Sequence, residues 1–228
     1  MSSLTPYFEN ETLTLYQGNA LAVLETLPDG CCDALITDPP YMLGAKSTYD
    51  SKARCGNWAD MENSAHWYAA WMKEGKRVLK PSGWLLSFCN WRSLPVFMLA
   101  TVRAECPTHS LLVWDKDIMG AGMCLRPSYE FVLFMGMPEA VIANRRQKDI
   151  ITCRWTYNRR KLHPVEKPVE LLERLIALTT RPGDTVCDPF MGSGSTGKAA
   201  LLLGRKFVGV EREPEYCAIA AGAMGVEA

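Results

Sequence analysis

No run of about 18 apolar residues occurs in this 228-residue chain, so the sequence offers no membrane-spanning helix. Net charge is absent too: 25 Lys and Arg offset 25 Asp and Glu, so any signal for a polyanionic partner has to be local. The segment Met1 to Pro6 lacks the basic and apolar regions of a secretory signal. The nine cysteines (Cys31, Cys32, Cys55, Cys89, Cys106, Cys124, Cys153, Cys187 and Cys217) form no Cys-x-x-Cys pair, and no metal site is expected. Cys31, Cys32, Cys89 and Cys187 lie in or beside apolar runs, where a free thiol acts as a small hydrophobe. Reduced thiols point to a cytoplasmic protein. Internal repeats and low-complexity stretches are missing as well. What remains is a globular chain, 48 % hydrophobic, long enough for one sizeable α/β core.

Strand-like and helix-like stretches alternate almost throughout. Strands are predicted at 13–16, 34–36, 84–89, 110–114, 129–135, 185–187 and 206–210, and helices at 20–27, 64–79, 94–102, 168–180, 198–203 and 216–224. That alternation predicts a mostly parallel sheet covered on both faces. The whole of 1–228 reads as one domain. It carries a long polar connection at about 42–63, of a length that is usually functional or mobile, and a small insertion at about 138–163.

Asp38-Pro39-Pro40-Tyr41 closes the apolar run Ala34-Leu35-Ile36. Neither proline has an N–H for a sheet ladder, and each forces extended geometry on the residue before it. The result is a stiff corner of bare carbonyls between a carboxylate and an aromatic ring. Two readings stand at this point: a strand-ending turn with a packed Tyr, or a cradle for a flat group with an exocyclic amine.

The second motif is Gly192-x-Gly194-x-x-Gly197, which follows a strand, opens a helix, and has Glu211 at the end of the next strand. Glycines admit a ligand close to the backbone, and the helix N-terminus offers free N–H groups to an anion. Too few residues follow Glu211 for the second half of a dinucleotide fold. Asp188, just before the glycines, would repel a pyrophosphate but pair with an ammonium group. S-adenosylmethionine has an adenosine, an ammonium and a carboxylate, and fits both ends of the turn.

The Asp38 corner, the Asp188-Pro189-Phe190-Met191-Gly192-Ser193-Gly194-Ser195-Thr196 turn and the His163-Pro164-Val165-Glu166-Lys167-Pro168 lead-in resemble the amino-group DNA methyltransferases. With the amine corner first and the cofactor turn last, the order is similar to the circularly permuted β group. The resemblance covers about Leu13 to Ala218. It implies a Rossmann-like sheet of seven strands, mostly parallel, with the Tyr129–Met135 strand antiparallel and helices on both faces.

It also implies roles. Asp38, Pro39, Pro40 and Tyr41 are catalytic: Asp38 and a proline carbonyl, Pro39 by preference, accept the two amine hydrogens, and Tyr41 stacks on the base. Asp38, Asp188, Pro189, Phe190, Gly192, Ser193, Gly194 and Thr196 surround the methionine and ribose. Glu211 takes the ribose hydroxyls and Lys167 the methionine carboxylate. Asn19 and Ala20 neighbour the adenine amine, where the family often has Asp, and Arg212 lies over the adenine. His163 is expected to be structural.

Between Asn144 and Lys161, the cations Arg145, Arg146, Lys148, Arg154, Arg159, Arg160 and Lys161 face one acid, Asp149, with Trp155 and Tyr157 interleaved. This segment is the expected contact for double-stranded DNA, with the target base flipped out of the duplex. Asp at position 38 favours adenine N6 over cytosine N4. Carbon-5 methylation needs a cysteine, usually after a proline, and no Pro-Cys dipeptide occurs. A module that binds cofactor without catalysis is the rival from a different class. The expected setting is a bacterial or phage-infected cell, as a solitary methylase that could pair as a homodimer.

Overall fold

The computed structural model describes residues 5–41, 58–120, 125–155 and 166–226. Nine strands form one sheet: β1 (Phe8–Glu9), β2 (Leu13–Gln17), β3 (Cys32–Thr37), β4 (Leu79–Cys89), β5 (Thr108–Asp115), β6 (Tyr129–Gly136), β7 (Ile150–Thr152), β8 (Thr185–Asp188) and β9 (Lys206–Glu211). Their spatial order is β1-β2-β9-β8-β3-β4-β6-β5-β7. β6 runs antiparallel to β4 and β5, as its placement in the family order requires. Two short edge strands extend the expected seven: β1, antiparallel to β2, and β7, parallel to β5.

The helices among the described residues are α1 (Ala20–Leu24), α2 (Trp58–Val78), α3 (Leu94–Arg103), α4 (Val169–Thr179), α5 (Ser195–Leu202) and α6 (Pro214–Ala223). Strand side chains alternate between two cores. Ala34, Ile36, Leu86, Phe88, Val132 and Phe134 pack with α4, α5 and α6. Leu35, Leu85, Leu133 and Met135 pack with α1, α2 and α3. Both faces are therefore covered, as a parallel sheet demands. Among the described residues, no helix is long and apolar enough to cross a membrane.

The connection expected at 42–63 is shorter than its sequence suggests, because 58–63 already belong to α2. That turn mixes polar and apolar residues, and Met61 continues the period of Ala65, Tyr68 and Met72. Glu62 is held by His66 one turn on, at 3.6 Å, and by Arg103 of α3. β4 begins at Leu79, before the Pro81-Ser82-Gly83 stop. The register against β3 shifts between Cys32 and Ala34, which absorbs the extra residues as a bulge.

β3 and β8 are neighbours at the centre. The chain leaves β3 toward the α2 face and leaves β8 toward the α5 face. This is the point where winding reverses, and the crevice outside the carboxyl ends of these two strands is where α/β sheets bind ligands.

Candidate active site

β3 ends at the buried Thr37 and delivers the corner into that crevice. The Tyr68 hydroxyl, from α2, donates to the Pro40 carbonyl at 2.7 Å. No donor among the described residues reaches the Pro39 carbonyl, which leaves it as an acceptor. Both oxygens of the Asp38 carboxylate are engaged. The Tyr41 hydroxyl donates to Oδ1 at 2.7 Å, and the Lys167 ammonium donates to Oδ2 at 2.5 Å. Burial and the adjacent Asp38 charge push the Tyr41 phenol well above its ordinary pKa, so it remains the donor of that pair.

β8 delivers the second acid. Asp188 is 3 % exposed. Its Oδ1 accepts the Thr37 hydroxyl at 2.6 Å and the Phe190 N–H at 3.0 Å. The bond from Thr37 joins the two motifs, 151 residues apart in sequence, across the reversal point. Burial raises the Asp188 pKa to about 6, against the pull of the Thr37, Thr196 and Phe190 donors toward the charged form. Among the described residues no cation pairs with it. A buried, hydrogen-bonded carboxylate lacking a cation fits the ammonium group of an amino-acid-like ligand.

The glycine turn supplies the neighbouring surface. Gly192 has φ +51° and nothing within 4 Å of where a Cβ would stand, so the space above it is open. The Glu211 side chain spans the turn: Oε2 accepts the Gly192 N–H at 3.1 Å and Oε1 accepts the Glu213 N–H at 2.8 Å. Ionised, it keeps spare lone pairs for a vicinal diol. Pro189, Ser193 and Thr196 are buried around the turn, and Phe190 packs between Trp67 and Trp71, each at 5.6 Å. The buried Trp71 Nε1 has no hydrogen-bond partner.

Other expected contacts sit differently. Asn19 and Ala20 do lie beside Glu211, since Gly18 N–H donates to the Glu211 carbonyl at 2.9 Å. The Asn19 side-chain oxygen, however, caps α1, accepting from Leu21 N–H and Ala22 N–H. Arg212 reaches Glu213 at 2.8 Å, with its side chain 76 % exposed. The Lys167 ammonium, expected on a ligand carboxylate, lies on Asp38 instead and 3.2 Å from Glu130.

The basic segment is split across the sheet. β7 runs parallel to β5, pairing Asp115 with Thr152, so Arg154 and Trp155 follow it on the edge that holds Asp38. Trp155 N–H is anchored there on the Lys116 carbonyl at 2.9 Å. Arg145 and Lys148, with Arg146 between them, precede β7 at the far edge. They border a cavity of about 350 Å³ lined by Trp84, His109, Phe134 and Leu178. Six residue steps of strand-like chain separate Lys148 from Arg154, roughly 20 Å. The segment expected to contact DNA is thus divided by β7, three residues hidden in a basic run. Tyr157, Arg159, Arg160, Lys161 and His163 lie outside the described residues.

Sequence reasoning passed over Glu130, Lys116, Thr37 and Tyr68. Glu130 carried a signal: it is the one charged residue of the apolar strand Tyr129–Gly136.

A pH test follows from Asp188. Its folded pKa lies above the ordinary value of 3.8, so its contribution to stability is full below that value and is lost as pH rises through about 6. At about 1.4 kcal/mol per unit, the ligand-free protein loses ~3 kcal/mol from this group between about pH 4 and 6. Asp188→Asn flattens that stretch of the denaturation free energy against pH. An unchanged slope in the variant would show that Asp188 titrates normally.

The family described as DNA methylase matches residues 32–222. The chain is 31 % identical over 200 residues to a protein of Escherichia coli (strain K12) named for methylase activity, YubD, covering 88 % of this chain and 85 % of that one. It is 27 % identical over 242 residues to the type II methyltransferase M2.LlaDCHI of Lactococcus lactis subsp. cremoris, covering 94 % and 90 %. In fold it is similar to the PvuII DNA methyltransferase (cytosine-N4-specific), with TM-score 0.79, 20 % identity, and coverage of 97 % of this chain and 89 % of that one. The M1.HpyAVI–SAM complex superposes with TM-score 0.70 at 25 % identity, covering 94 % and 100 %. The chain belongs to the DNA methylase family of N6/N4 amino-group DNA methyltransferases.

Proposed function

We propose that this DNA methyltransferase acts on the N6 amine of adenine in double-stranded DNA, with the target base turned out of the duplex and S-adenosylmethionine as donor. The observation that carries the reading is the Asp38 carboxylate of the Asp-Pro-Pro-Tyr corner, whose preceding residue Thr37 is hydrogen-bonded to Asp188. When bound, S-adenosylmethionine supplies an electrophilic methyl group. Asp188 would hold its ammonium, Glu211 its ribose hydroxyls, and the backbone of Gly192, Ser193 and Gly194 its remaining polar edge.

The chain's own task is to make a poor nucleophile react. An exocyclic amine delocalises its lone pair into the ring. Asp38 accepts one N–H and the Pro39 carbonyl the other, which makes the nitrogen tetrahedral and aims its lone pair. Once the new N–C bond exists the nitrogen is cationic and acidic, and Asp38 takes its proton late. Lys167, paired to Oδ2, holds the acceptor carboxylate in place. Flipping the base costs about a few kcal/mol, offset in part by stacking on Tyr41.

Tyr41 holds Asp38 Oδ1 in the free protein and has to yield it to the amine. Tyr41→Phe therefore keeps most activity, since the ring remains and only a hydrogen bond of about 1 kcal/mol is lost. Tyr41→Ala loses about 1–3 kcal/mol of base stacking in kcat/KM. Equal losses in the two variants would assign the residue's role to its hydroxyl.

DNA is placed on the edge bearing Arg154 and Trp155, where Trp91, 57 % exposed, and Arg92 also project. The likeness in fold to a cytosine-N4 enzyme keeps that base as the second reading. Methylating a random-sequence DNA library and sequencing it by a modification-sensitive method decides between them. N6-methyladenine in a fixed context supports the proposal, and N4-methylcytosine overturns the choice of base.

A further inference from the structure

β6 is apolar except for Glu130, and its even-numbered side chains Val132 and Phe134 enter the core beneath α4. A carboxylate on that face is costly unless paired. Glu130 Oε1 is 3.0 Å from Lys116 Nζ and Oε2 is 3.2 Å from Lys167 Nζ. The second approach is an ion pair off the line of a hydrogen bond, since Oε2 has no hydrogen-bond partner. The two cations rest on an aromatic floor. Lys167 Nζ is 5.0 Å from the Phe88 ring centre and Lys116 Nζ is 4.9 Å from that of Trp114, and the rings meet edge to face at 6.4 Å.

The chain Lys116–Glu130–Lys167–Asp38–Tyr41 is thus continuous, and its members come from four separate places in the fold. Two carboxylates and two ammonium groups balance to zero. The directions agree: burial opposes charge on Glu130, yet Lys167 and Lys116 bring its pKa below the ordinary range. Burial likewise opposes charge on Lys167, yet Asp38 and Glu130 carry it upward. Cys89 and Asp188, the other titratable groups beside Asp38, are held toward their neutral forms by burial. Apolar replacements of such buried ionic sets are often neutral or stabilising, so stability alone does not account for it.

We propose that Glu130 is a positioning residue of the transfer site, holding the Lys167 ammonium between itself and Asp38 Oδ2 so that the Asp38 carboxylate keeps its plane and presents Oδ1 to the amine. The inference rests on the reading of Asp38 as the amine acceptor. Glu130 lies one residue removed from the reacting atoms and acts through Lys167. Lys116 fixes Glu130 from the other side.

A double-variant cycle in steady-state methylation of DNA tests it. Glu130→Gln is expected to lower kcat about 10- to 100-fold, the scale of a small misplacement of a reacting group. KM for DNA and for cofactor stays within about threefold, because neither ligand touches Glu130. Glu130→Asp recovers part of the loss. In a Lys167→Met background, Glu130→Gln adds no further loss, since its route to Asp38 is already cut. Multiplicative losses in the double variant, or a Glu130→Gln defect confined to KM, overturn the proposal. Lys116→Met, which keeps the carboxylate, is the companion should Glu130→Gln fold poorly: it lowers kcat in the same parameter by less, and an unchanged kcat there overturns the proposal. A wild-type protein inactive on DNA overturns the reading of Asp38 on which this one rests, whereas an additive cycle on an active wild type overturns this one alone.

Discussion

Asp38→Ala abolishes methyl transfer to DNA, by about 1,000-fold or more in kcat, while cofactor binding persists. The asymmetry follows from where each acid sits. In the proposed mechanism Asp38 meets the amine, and its two oxygens are held by Tyr41 and Lys167. Asp188, at the end of β8 and bonded to the Phe190 N–H, is the proposed donor-side acid. Removing the Asp38 side chain takes away one of two acceptors that shape the nitrogen and the group that takes its proton. Positioned proton acceptors are worth about 100- to 10,000-fold. It also leaves Lys167 paired with Glu130 alone. Calorimetric titration with S-adenosylmethionine and a labelled-methyl assay on the same preparation separate the two effects. Full activity in the variant would remove Asp38 from the mechanism. Loss of cofactor binding together with activity would move Asp38 to the donor site.

Gly197→Val prevents folding at ordinary temperature. Gly197 sits in α5 immediately behind the glycine turn, where a Cβ would stand 2.3 Å from Met224 Sδ and 2.7 Å from Phe207 Cε1. The methionine can swing away, but the Phe207 ring is fully buried. The same ring closes over Gly209, whose Cβ would lie 2.6 Å from Cε1. Phe207 is therefore clamped between two glycines and cannot retreat. Overpacking of this kind costs about 1–3 kcal/mol for a single methyl and more for a branched side chain. Gly197→Ala recovers up to about 1 kcal/mol of helix propensity and survives as a destabilised protein. Thermal denaturation of the two variants checks the ordering. A Gly197→Val protein that melts within a few degrees of wild type would mean that the third glycine serves the ligand rather than the packing.

These two residues also mark what the sequence makes legible. Asp38 and Gly197 belong to motifs of fixed spacing, in which backbone constraint ties residue type to position. The corner and the turn were readable for that reason, and so was their meeting at the carboxyl edge of a parallel sheet. Lys167 was readable as a site residue but not in its partner, because the partner is set by Glu130, on a strand with no neighbouring motif. A single glutamate in an apolar strand has no periodicity to announce it. Asn19 carried two compatible signals, helix cap and ligand contact, and local geometry commits its oxygen to the cap. The basic run from 144 to 161 reads as one surface only if it is one loop. Its pairing of Ile150–Thr152 with β5 sends its two ends to opposite edges, and short pairings of that kind depend on the partner strand rather than on their own residues.

In the proposed mechanism the Asp38 corner and the Asp188 turn form one site that moves a methyl group onto an exocyclic amine. The most direct measurement is mass spectrometry of nucleosides from DNA incubated with wild-type protein and isotopically methyl-labelled S-adenosylmethionine. Label is expected in N6-methyladenine. Label on carbon 5 of cytosine, or none in DNA from a protein that binds the cofactor, would contradict it.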